Sequence, residues 1–318
     1  MDDGPTSPQV VTLTVNPAID IAASVDRVVP LHKLRCTSVR RDPGGGGINV
    51  ARVVRRLGAD VLAIYPAGGS LGQLLRRLLD GEDVRSAVVD VSHETREDFT
   101  VTEAHFGQQY RFALPGAPLT ENEWGACLDT LSAMTGAPGF VVGSGSLPPG
   151  VPEDFYARLA DVAASKTARM VLDTGGRPLA AALQHGVYLV KPNMRELQEL
   201  VQRELCYAAD WLKAARSLIE RGSAEVVALT LGHQGALLVT ADTAVRARAP
   251  DVRPVSAVGA GDSFLGAMVW GLASGADVVQ AFRYGVAAGS AAVLNSGTEL
   301  SRPEDVGRLY DEVQLEAL

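Results

Sequence analysis

The stretch Val258-Gly259-Ala260-Gly261-Asp262-Ser263 leads directly into an apolar segment, Phe264–Leu272, that is typical of a buried helix. The glycines allow a tight turn in which several backbone N–H groups point in one direction. Because these amides lie at the positive end of the predicted helix, they would form an anion-binding turn of the kind that holds phosphate. Asp262 would face the same position, where a carboxylate can take a proton from an attacking hydroxyl. A simple helix start, with Asp262 as a cap, fits the same residues.

Outward from this stretch, short apolar runs alternate with longer amphipathic segments. The apolar runs predict strands at Val11–Val15, Val61–Tyr65, Phe140–Gly143, Met170–Asp173, Val187–Val190 and Val226–Leu231. Apolar residues at helical spacing predict helices at Ile48–Leu57, Leu71–Leu79, Pro152–Ala164 and Ala208–Glu220. This alternation indicates an α/β fold, a three-layer α/β/α core with a mostly parallel sheet. Ligands of such sheets bind beyond the carboxyl ends of the strands.

Two segments, Ile21–Arg40 and Phe99–Leu114, interrupt this alternation because they have strand character and little helical character. The second alternates its faces on either side of Gly107, which predicts a hairpin. We expect the two segments, 21–40 and 99–114, to pair into a small β-sheet lid beside the site. The ranges 11–20, 41–98 and 115–318 would form the core. The apolar outer face of the lid would need a cover, which a second copy of the chain could supply.

The composition limits the classes of partner. A formal net charge of −8 over 318 residues argues against non-specific binding to nucleic acid, so any phosphate site must be built locally. The sequence has no apolar run long enough to cross a membrane. Its acidic, turn-rich first ten residues are typical of a loose tail and not of a signal peptide. The cysteines, Cys36, Cys127 and Cys206, match neither a zinc spacing nor a disulfide framework, which favours the cytoplasm.

A run of four glycines, Gly44–Gly47, precedes the helix predicted from Ile48 and is followed by Asn49. Glycine lets the backbone approach a ligand closely, and the Asn49 amide could bind sugar hydroxyls. The run is neither a P-loop nor a dinucleotide-binding GxGxxG pattern. A flexible loop is the alternative, although four glycines are costly to order. Asp20, which follows the first strand, could hold two hydroxyls or simply belong to a turn.

Two further loops follow later strands. In Lys191-Pro192-Asn193-Met194-Arg195-Glu196, an amide and a carboxylate three residues apart could organise magnesium-bound water around nucleotide phosphates. The same pair fits a capping box, and both interpretations can hold together. In Thr230-Leu231-Gly232-His233-Gln234-Gly235, two glycines three residues apart make a loop that a nucleotide could cross. His233 is interpreted as a surface residue of that loop.

These motifs, in this order and spacing, resemble the ribokinase-like (PfkB-type) carbohydrate kinases over nearly the whole chain. The similarity lies in VGAGDSF (258–264), PGGGGINVARVVRRLG (43–58), SGSLPPG (144–150) and KPNMREL (191–197). Within that family, KLRCT (33–37), QYRFALPGA (109–117) and YGVAAGSAA (284–292) resemble the minor, isozyme-2 branch of bacterial 6-phosphofructokinases. Gly46 agrees with that branch, because the related 1-phosphofructokinases and tagatose-6-phosphate kinases usually have a lysine there. The segment 16–20 is closer to those relatives.

The resemblance implies ATP- and Mg²⁺-dependent phosphorylation of fructose 6-phosphate to fructose 1,6-bisphosphate by a homodimer. Asp262 would be the general base, and Gly259, Ala260 and Gly261 would hold the transferred phosphoryl group. The sugar phosphate would be bound by Asp20, Lys33, Gly45, Gly46, Asn49, Arg96 and Ser146. The nucleotide would be bound by Lys191, Asn193, Glu196, Thr230, Gly232, Gly235, Val286, Gly289 and Ser290. Potassium, which family members often bind, would lie between the loops that contain Ser256, Val258, Asn295 and Gly297.

One departure concerns the substrate phosphate. Arg96 is the best candidate to clamp it, because guanidinium binds phosphate through two parallel hydrogen bonds. Glu97 and Asp98 follow where relatives usually carry neutral polar residues, and two acids there would repel a phosphate dianion unless they point away. Tagatose 6-phosphate, fructose 1-phosphate, an unphosphorylated sugar or a nucleoside are therefore alternative substrates. Outside the kinases, the missing GxGxxG pattern opposes an oxidoreductase, and Asp262 beside intact glycines opposes an inactive sugar sensor.

Overall fold

The computed structural model describes residues 8–318, in which it places fourteen strands and ten helices. The strands are β1 (Val10–Leu13), β2 (Ala18–Val25), β3 (Val39–Gly44), β4 (Val61–Ala67), β5 (Arg85–Asp90), β6 (Arg96–Glu103), β7 (Gln109–Ala113), β8 (Phe140–Ser144), β9 (Arg169–Asp173), β10 (Val187–Val190), β11 (Ala224–Thr230), β12 (Ala236–Val239), β13 (Ala244–Arg248) and β14 (Gln314–Ala317). The helices are α1 (Gly46–Arg56), α2 (Gly69–Asp80), α3 (Glu121–Ala133), α4 (Phe155–Ser165), α5 (Gly176–Ala182), α6 (Met194–Val201), α7 (Ala208–Glu220), α8 (Ala260–Ala273), α9 (Val278–Ala292) and α10 (Pro303–Tyr310).

The larger sheet has ten strands in the order β14-β13-β12-β11-β10-β9-β8-β1-β4-β5. The seven strands from β11 to β5 run parallel, and β12, β13 and β14 extend the sheet antiparallel at one edge. The carboxyl ends of β1, β8, β9 and β10 therefore meet at one edge of the central sheet. The loops that follow these strands form much of the site described below.

Helices cover both faces of the larger sheet. Along β4, Ala63 and Tyr65 belong to one hydrophobic cluster and Ile64 to the other, since successive side chains of a strand point to opposite faces. The first cluster packs under α1, α2, α8, α9 and α10, and the second under α3, α4, α5, α6 and α7. Burial on both faces explains why the central strands are continuous apolar runs in the sequence. The predicted α/β class with a mostly parallel sheet is confirmed.

A second, four-stranded sheet lies beside the larger one in the order β3-β2-β6-β7. Strands β2 and β6 pair in parallel, with Ala18 opposite Arg96. Strand β3 pairs antiparallel with β2, and β7 forms a hairpin with β6. Because β3 ends at Gly44, this small sheet continues directly into the glycine run and α1.

The bounds of the small sheet differ from those expected. Only the ends of the segment Ile21–Arg40 are strands, and residues 26–38 form turns and exposed loop. Pro30 lacks a backbone N–H, and the polar residues around it do not alternate, so this stretch cannot join a ladder. The sheet also begins earlier, at Ala18 and Arg96. Asp20 and Arg96 therefore lie on the small sheet and not in the ranges assigned to the core.

None of the helices within residues 8–318 is long and apolar enough to cross a membrane. Cys36, Cys127 and Cys206 are all free thiols. The tail expected over the first ten residues falls mostly on 1–7, which lie outside the described residues.

Candidate active site

The glycine turn before α8 forms the centre of the site. Gly259 has a φ of +75°, and a Cβ atom there would lie 2.7 Å from Leu300 Cδ2, so a side chain would be both strained and obstructed. The first-turn amides of α8 have no carbonyl partners within the helix. Asp262 lies in that turn. The local sequence thus produces an anion-binding turn with a carboxylate beside it.

Asp262 is held from the opposite side by α1. Its Oδ2 accepts a hydrogen bond of 2.8 Å from Nδ2 of Asn49. Burial raises the pKa of Asp262 to about 6, and Asp173 adds to the rise, whereas the hydrogen bond from Asn49 and the charges of Lys191 and Arg111 oppose it. A carboxylate with this pKa is mostly ionised at neutral pH and accepts a proton more readily than an ordinary aspartate.

A buried ion pair lies next to the turn. Lys191 Nζ is 3.0 Å from Asp173 Oδ1, and both side chains are largely buried. Burial alone would lower the pKa of Lys191, but Asp173, Glu196 and Asp262 together raise it, so the lysine carries its charge. A Cβ atom on Gly261 would lie 3.5 Å from Lys191 Nζ, so the ammonium group lies close to the anion-binding turn. The turn therefore has a fixed positive charge beside its amides.

The glycine run is packed closely against its surroundings. A Cβ atom on Gly44 would collide with the Asp20 carboxylate, and one on Gly46 would collide with the Ser144 hydroxyl. Gly45, with a φ of +109°, has Thr14 Cγ2 at 2.9 Å from the position of a Cβ. The run brings the start of α1 against β2 and β8, so that Asn49 reaches Asp262. This packing does not support the alternative of a flexible loop.

Three aspartates form a row across the small sheet. Asp20 on β2 lies opposite Asp42 on β3 and opposite Asp98 on β6. Asp42 is paired with Arg40 and Asp98 with Arg96, while the Asp20 carboxylate between them forms no ion pair within residues 8–318. Burial raises the pKa of Asp20 to about 7, with Asp98 and Asp262 adding to the rise and Arg52 and Arg96 opposing it. Asp20 therefore binds and releases a proton near neutral pH.

Arg96 is already bonded to the protein. Its NH1 lies 2.7 Å from both carboxylate oxygens of Asp98 and 3.1 Å from the carbonyl oxygen of Leu114. Its NH2 donates to the carbonyl oxygen of Asn16 at 3.3 Å, and its Nε is buried without a partner. Glu97 alternates with these residues along β6 and does not line the cleft. Of the two acids that follow Arg96 in the sequence, Asp98 faces the cleft and Glu97 does not.

These groups surround a cleft of about 830 Å³. Six carboxylates and two guanidinium groups line it: Asp20, Asp98, Glu153, Asp173, Glu196, Asp262, Arg96 and Arg111. Other lining residues are Gly45, Gly46, Asn49, Gly145, Ser146, Thr174, Gly175, Val258 and Gly259. Because acids outnumber bases, a polyphosphate would be better accommodated with bound cations than alone.

Of the residues expected to bind the nucleotide, only Glu196 lines this cleft. Asn193 and Glu196 form a capping box at the start of α6, with reciprocal bonds of 2.9 and 2.8 Å, and Glu196 also faces the cleft. A bridge pairs Asn193 with Thr230. Gly232 has open space around its α-carbon, whereas a Cβ atom on Gly235 would collide with the Ala247 carbonyl. Gly235 is therefore required by packing.

The remaining expected nucleotide residues lie on α9. Val286 and Ser290 are buried, and the Ser290 hydroxyl donates to the Val286 carbonyl at 2.9 Å. A Cβ atom on Gly289 would lie 3.4 Å from the Ala260 carbonyl, so this position lies at the contact of α9 with α8. None of the three lines the cleft.

The two loops expected to hold potassium do meet. The Ser256 hydroxyl donates to the carbonyl oxygen of Gly297 at 2.9 Å and accepts from the Val258 amide at 3.2 Å. The Asn295 amide donates to the Leu300 carbonyl at 3.1 Å. The donor atoms here are hydroxyl and carbonyl oxygens, which suit an alkali cation.

Of the residues expected to bind the sugar phosphate, only Lys33 lies away from the cleft, and Asp173 and Arg111 line it without having been expected there. Lys33 lies in the exposed loop 26–38 and does not line the cleft. Asp173 ends β9, and applying the rule for carboxyl ends to that predicted strand would have identified it. Arg111 could not be found in this way, because only the pairing of β7 with β6 brings it to the cleft.

Comparison with known proteins gives consistent matches over nearly the whole chain. The family model described as "pfkB family carbohydrate kinase" matches residues 13–305. An ATP-dependent 6-phosphofructokinase isozyme 2 of Mycobacterium tuberculosis is 46% identical, covering 98% of this chain and 91% of that protein. The Escherichia coli protein of the same name is 43% identical, with coverages of 95% and 98%. A 1-phosphofructokinase of Xanthomonas campestris is 35% identical, with coverages of 97% and 92%.

Three solved structures of phosphofructokinase-2 from E. coli have the same fold, each match covering 96% of this chain and 99% of the other. The complex with potassium has a TM-score of 0.92 at 42% identity. The complex with fructose-6-phosphate has a TM-score of 0.90 at 40% identity. The tetrameric inhibited form has a TM-score of 0.89 at 40% identity.

Proposed function

Because the chain belongs to the pfkB family of carbohydrate kinases, we propose that it transfers the γ-phosphoryl group of ATP to fructose 6-phosphate and forms fructose 1,6-bisphosphate. The observation that carries the proposal is the position of Asp262, a carboxylate with a raised pKa at the edge of an anion-binding turn. The choice of sugar is supported by the two relatives named 6-phosphofructokinase isozyme 2. Such a reaction would take place in the cytoplasm.

In the proposed reaction, the sugar 1-hydroxyl oxygen attacks the γ-phosphorus. The bond from that phosphorus to the bridging oxygen breaks, ADP leaves, and the hydroxyl proton passes to Asp262. The amides of Gly259, Ala260 and Gly261, with Lys191 close to them, oppose the negative charge on the phosphoryl oxygens. Asn49 orients the Asp262 carboxylate through the bond of 2.8 Å.

The sugar is assigned to the side of the cleft formed by the small sheet. Asp20 and Asn49 would bind its hydroxyls, and the close-packed backbone at Gly45 and Gly46 would contact its ring. Arg96 would bind the remote phosphate, with Ser146 nearby, because its guanidinium lies at this end of the cleft. Asp98 binds Arg96, so a phosphate must share or displace that partner. Lys33 could take part only if the loop 26–38 moved toward the cleft.

The nucleotide is assigned to the side of Lys191, Glu196 and Gly232, with Asn193, Thr230, Gly235, Val286, Gly289 and Ser290 around it. No group of three or more His, Cys, Asp and Glu residues that could hold a metal occurs in residues 8–318. Mg²⁺ would bind mainly through the phosphates of ATP, and the carboxylates of Asp173 and Glu196, which line the same cleft, would act on it through water. The charge of Mg²⁺ would reduce the repulsion between the phosphates and the acidic side chains of the cleft.

Potassium is assigned to the two loops described above. Ser256, Val258, Asn295 and Gly297 would surround it with hydroxyl and carbonyl oxygens. The charge would lie close to the turn that begins α8, since Val258 directly precedes Gly259. The E. coli relative crystallised with potassium supports this assignment.

The small sheet is proposed to act as the lid and as the dimer contact. Its outer surface and the loop 26–38 expose apolar side chains that a second copy could cover: Val29, Leu31, Leu34, Val39, Phe106, Phe112 and Leu114. Asp20, Arg96, Asp98 and Arg111 all lie on strands of this sheet. Closure of the lid would therefore move several substrate contacts together.

A panel of phosphoryl acceptors tests the assignment. ATP consumption should give the highest kcat/KM with fructose 6-phosphate and lower values with tagatose 6-phosphate, fructose 1-phosphate, ribose and adenosine. The position of Asp98 beside Arg96, together with the 1-phosphofructokinase relative, makes fructose 1-phosphate the second candidate. A higher kcat/KM with fructose 1-phosphate would assign the chain to that activity, and activity with none of the five would reject the kinase assignment.

A further inference from the structure

Arg52 is a fully buried charge in α1 that the proposed reaction leaves without a role. Its Nε lies 3.0 Å from both carboxylate oxygens of Glu82, and its NH2 lies 2.7 Å from one of them. Its NH1 donates to the carbonyl oxygen of Pro43 at 2.9 Å and to Oδ1 of Asn49 at 3.2 Å. The guanidinium is thus fixed by Glu82 and directed at the residue that contacts Asp262.

Asn49 lies between a group that can only donate and a group that accepts. Arg52 has N–H donors and no acceptor, so it can bond only to the amide oxygen. The ionised Asp262 carboxylate has no donor, so it can bond only to the amide NH2 group. One orientation of the Asn49 side chain satisfies both neighbours, and the opposite orientation satisfies neither.

We propose that Arg52 is a positioning residue of the phosphoryl transfer, which holds the Asn49 amide with its NH2 group toward Asp262. The proposal rests on the proposed function of Asp262 as the base. An asparagine amide has two ends of nearly equal size, so packing alone distinguishes them poorly. A cation on the far side of the amide makes the distinction electrostatically.

The orientation of the Asn49 amide matters because several charged groups near Asp262 affect its ionisation. Burial and Asp173 oppose its ionisation, while Lys191 and Arg111 favour it, and Asp262 in turn raises the pKa of Asp20. The Asn49 hydrogen bond also favours the ionised form, and a reversed amide would place an oxygen against the carboxylate. Loss of the Asn49 orientation should therefore raise the pH at which Asp262 becomes protonated.

The competing explanation is that Arg52 only stabilises the fold. Glu82 and Asp42 form ion pairs with it, Arg56 shares Glu82, and Asp20 is near enough to interact with its charge. An arginine bound so completely could simply join α1 to the turn after α2. Arg56 provides a matched comparison. It lies one turn further along α1 and bonds the same Glu82 at 3.0 Å, but the structure gives it no bond to Asn49.

The test compares Arg52→Lys with Arg56→Lys in the full-length protein, using the sugar that the wild type phosphorylates best. In Arg52→Lys we expect the acid-side midpoint of the kcat/KM profile to move up by about half to one pH unit, as expected when a hydrogen bond to a charged group is weakened. We also expect kcat to fall about tenfold and KM for ATP to change less than about twofold. Arg56→Lys should keep the wild-type profile.

A second comparison separates positioning from folding. In an Asn49→Ala background, Arg52→Lys should shift the profile no further, because the amide through which it acts is gone. If Arg52→Lys does not fold by circular dichroism, Glu82→Gln replaces it and should move the midpoint in the same direction. A folded variant with the wild-type profile, or an equal shift without Asn49, overturns the proposal. Failure of the proposed function would appear differently, as undiminished turnover by Asp262→Asn.

Discussion

Asp262 meets two requirements of a base in phosphoryl transfer: it is close to the amides that would hold the phosphoryl group, and its raised pKa makes it a better proton acceptor. We expect Asp262→Asn to fold normally and to bind both substrates, because asparagine has the same shape. Its turnover should fall by about 10²- to 10⁴-fold from loss of general-base assistance alone. Steady-state kinetics with separate binding measurements for ATP and sugar would check this. Near-normal turnover would remove Asp262 from the mechanism.

Asp20 should destabilise the unliganded protein at alkaline pH. Its pKa rises from an ordinary 3.8 to about 7 on folding, so the folded state disfavours its ionised form. Stability from this group is present below pH 4 and is lost as the pH rises to about 7. Replacing it with Asn should therefore raise the unfolding free energy at pH 8 by up to about 4 kcal/mol and change it little at pH 4.

Urea unfolding at both pH values measures this difference. Asp26→Asn, at an exposed position just beyond the same strand, controls for the loss of one negative charge. Equal unfolding free energies for Asp20→Asn and wild type at pH 8 would contradict the expectation. The same substitution should weaken sugar binding, since a neutral amide is a poorer hydrogen-bond acceptor for hydroxyls.

Along strand β6, alternate side chains point toward the cleft and away from it, so neighbouring residues have different roles. Arg96 and Asp98 face the cleft and Glu97 does not. We expect Arg96→Ala to raise KM for fructose 6-phosphate far more than KM for ATP. Losing a charged hydrogen-bonding partner of the phosphate should cost about 2–4 kcal/mol, or roughly 30- to 1000-fold in kcat/KM. Initial-rate kinetics over both substrates would measure it.

Glu97→Gln is the control for this strand, since it changes charge one residue away on the opposite face. If Arg96 serves only to neutralise Asp98, sugar kinetics in Arg96→Ala would remain close to wild type. The remote phosphate would then have another partner, and Arg111 on the neighbouring strand is the cation that lines the same cleft.

The elements that the sequence predicted well are those with strong apolar patterns. Val187–Val190 and Ala208–Glu220 agree with the structure at both ends. Helix α3 was not identified, although Thr120 and Glu123 form the capping box that marks its start. β5, α5, β12 to β14, α9 and α10 were also passed over. Local sequence motifs were enough to identify Asp262, Asn49 and Asp20 as candidate site residues, because the glycines and the order of the motifs along the chain can be read without knowing the fold.

What the sequence could not supply is contact across distant elements. The row of aspartates follows from the register of β3, β2 and β6, which no local pattern specifies. Arg96 also bonds the carbonyl oxygens of Asn16 and Leu114, and Arg52 bonds Glu82 and the Pro43 carbonyl, all from outside their own elements. The sequence therefore predicts which side chains belong to the site better than it predicts the neighbouring groups that shift their pKa values or hold them in place.

At the scale of the whole molecule, the small sheet is where assembly and substrate binding meet. Phe112 on β7 has 55% of its surface exposed, next to Arg111 of the cleft. We expect Phe112→Asp to make a dimer dissociate, because a charge would be buried at the contact. Light scattering after size-exclusion chromatography would show the mass halve, and activity should fall with it.

Leu315→Asp is the matched control, since Leu315 is an exposed apolar residue at the far edge of the larger sheet. It should leave both the mass and the activity unchanged. A wild-type protein that is monomeric at micromolar concentration and fully active would exclude the dimer contact.

The contact between Gly46 and Ser144 bears on how this site could change during evolution. A side chain at position 46 would collide with the Ser144 hydroxyl and press on the backbone at Gly145. That hydroxyl is buried without a hydrogen-bond partner, so it can turn away, or be lost in a lineage, at little cost to stability. The contact with the backbone at Gly145 would remain in either case. A lineage that acquires the lysine of the related kinases at position 46 must therefore also shift the loop after β8 by a small amount.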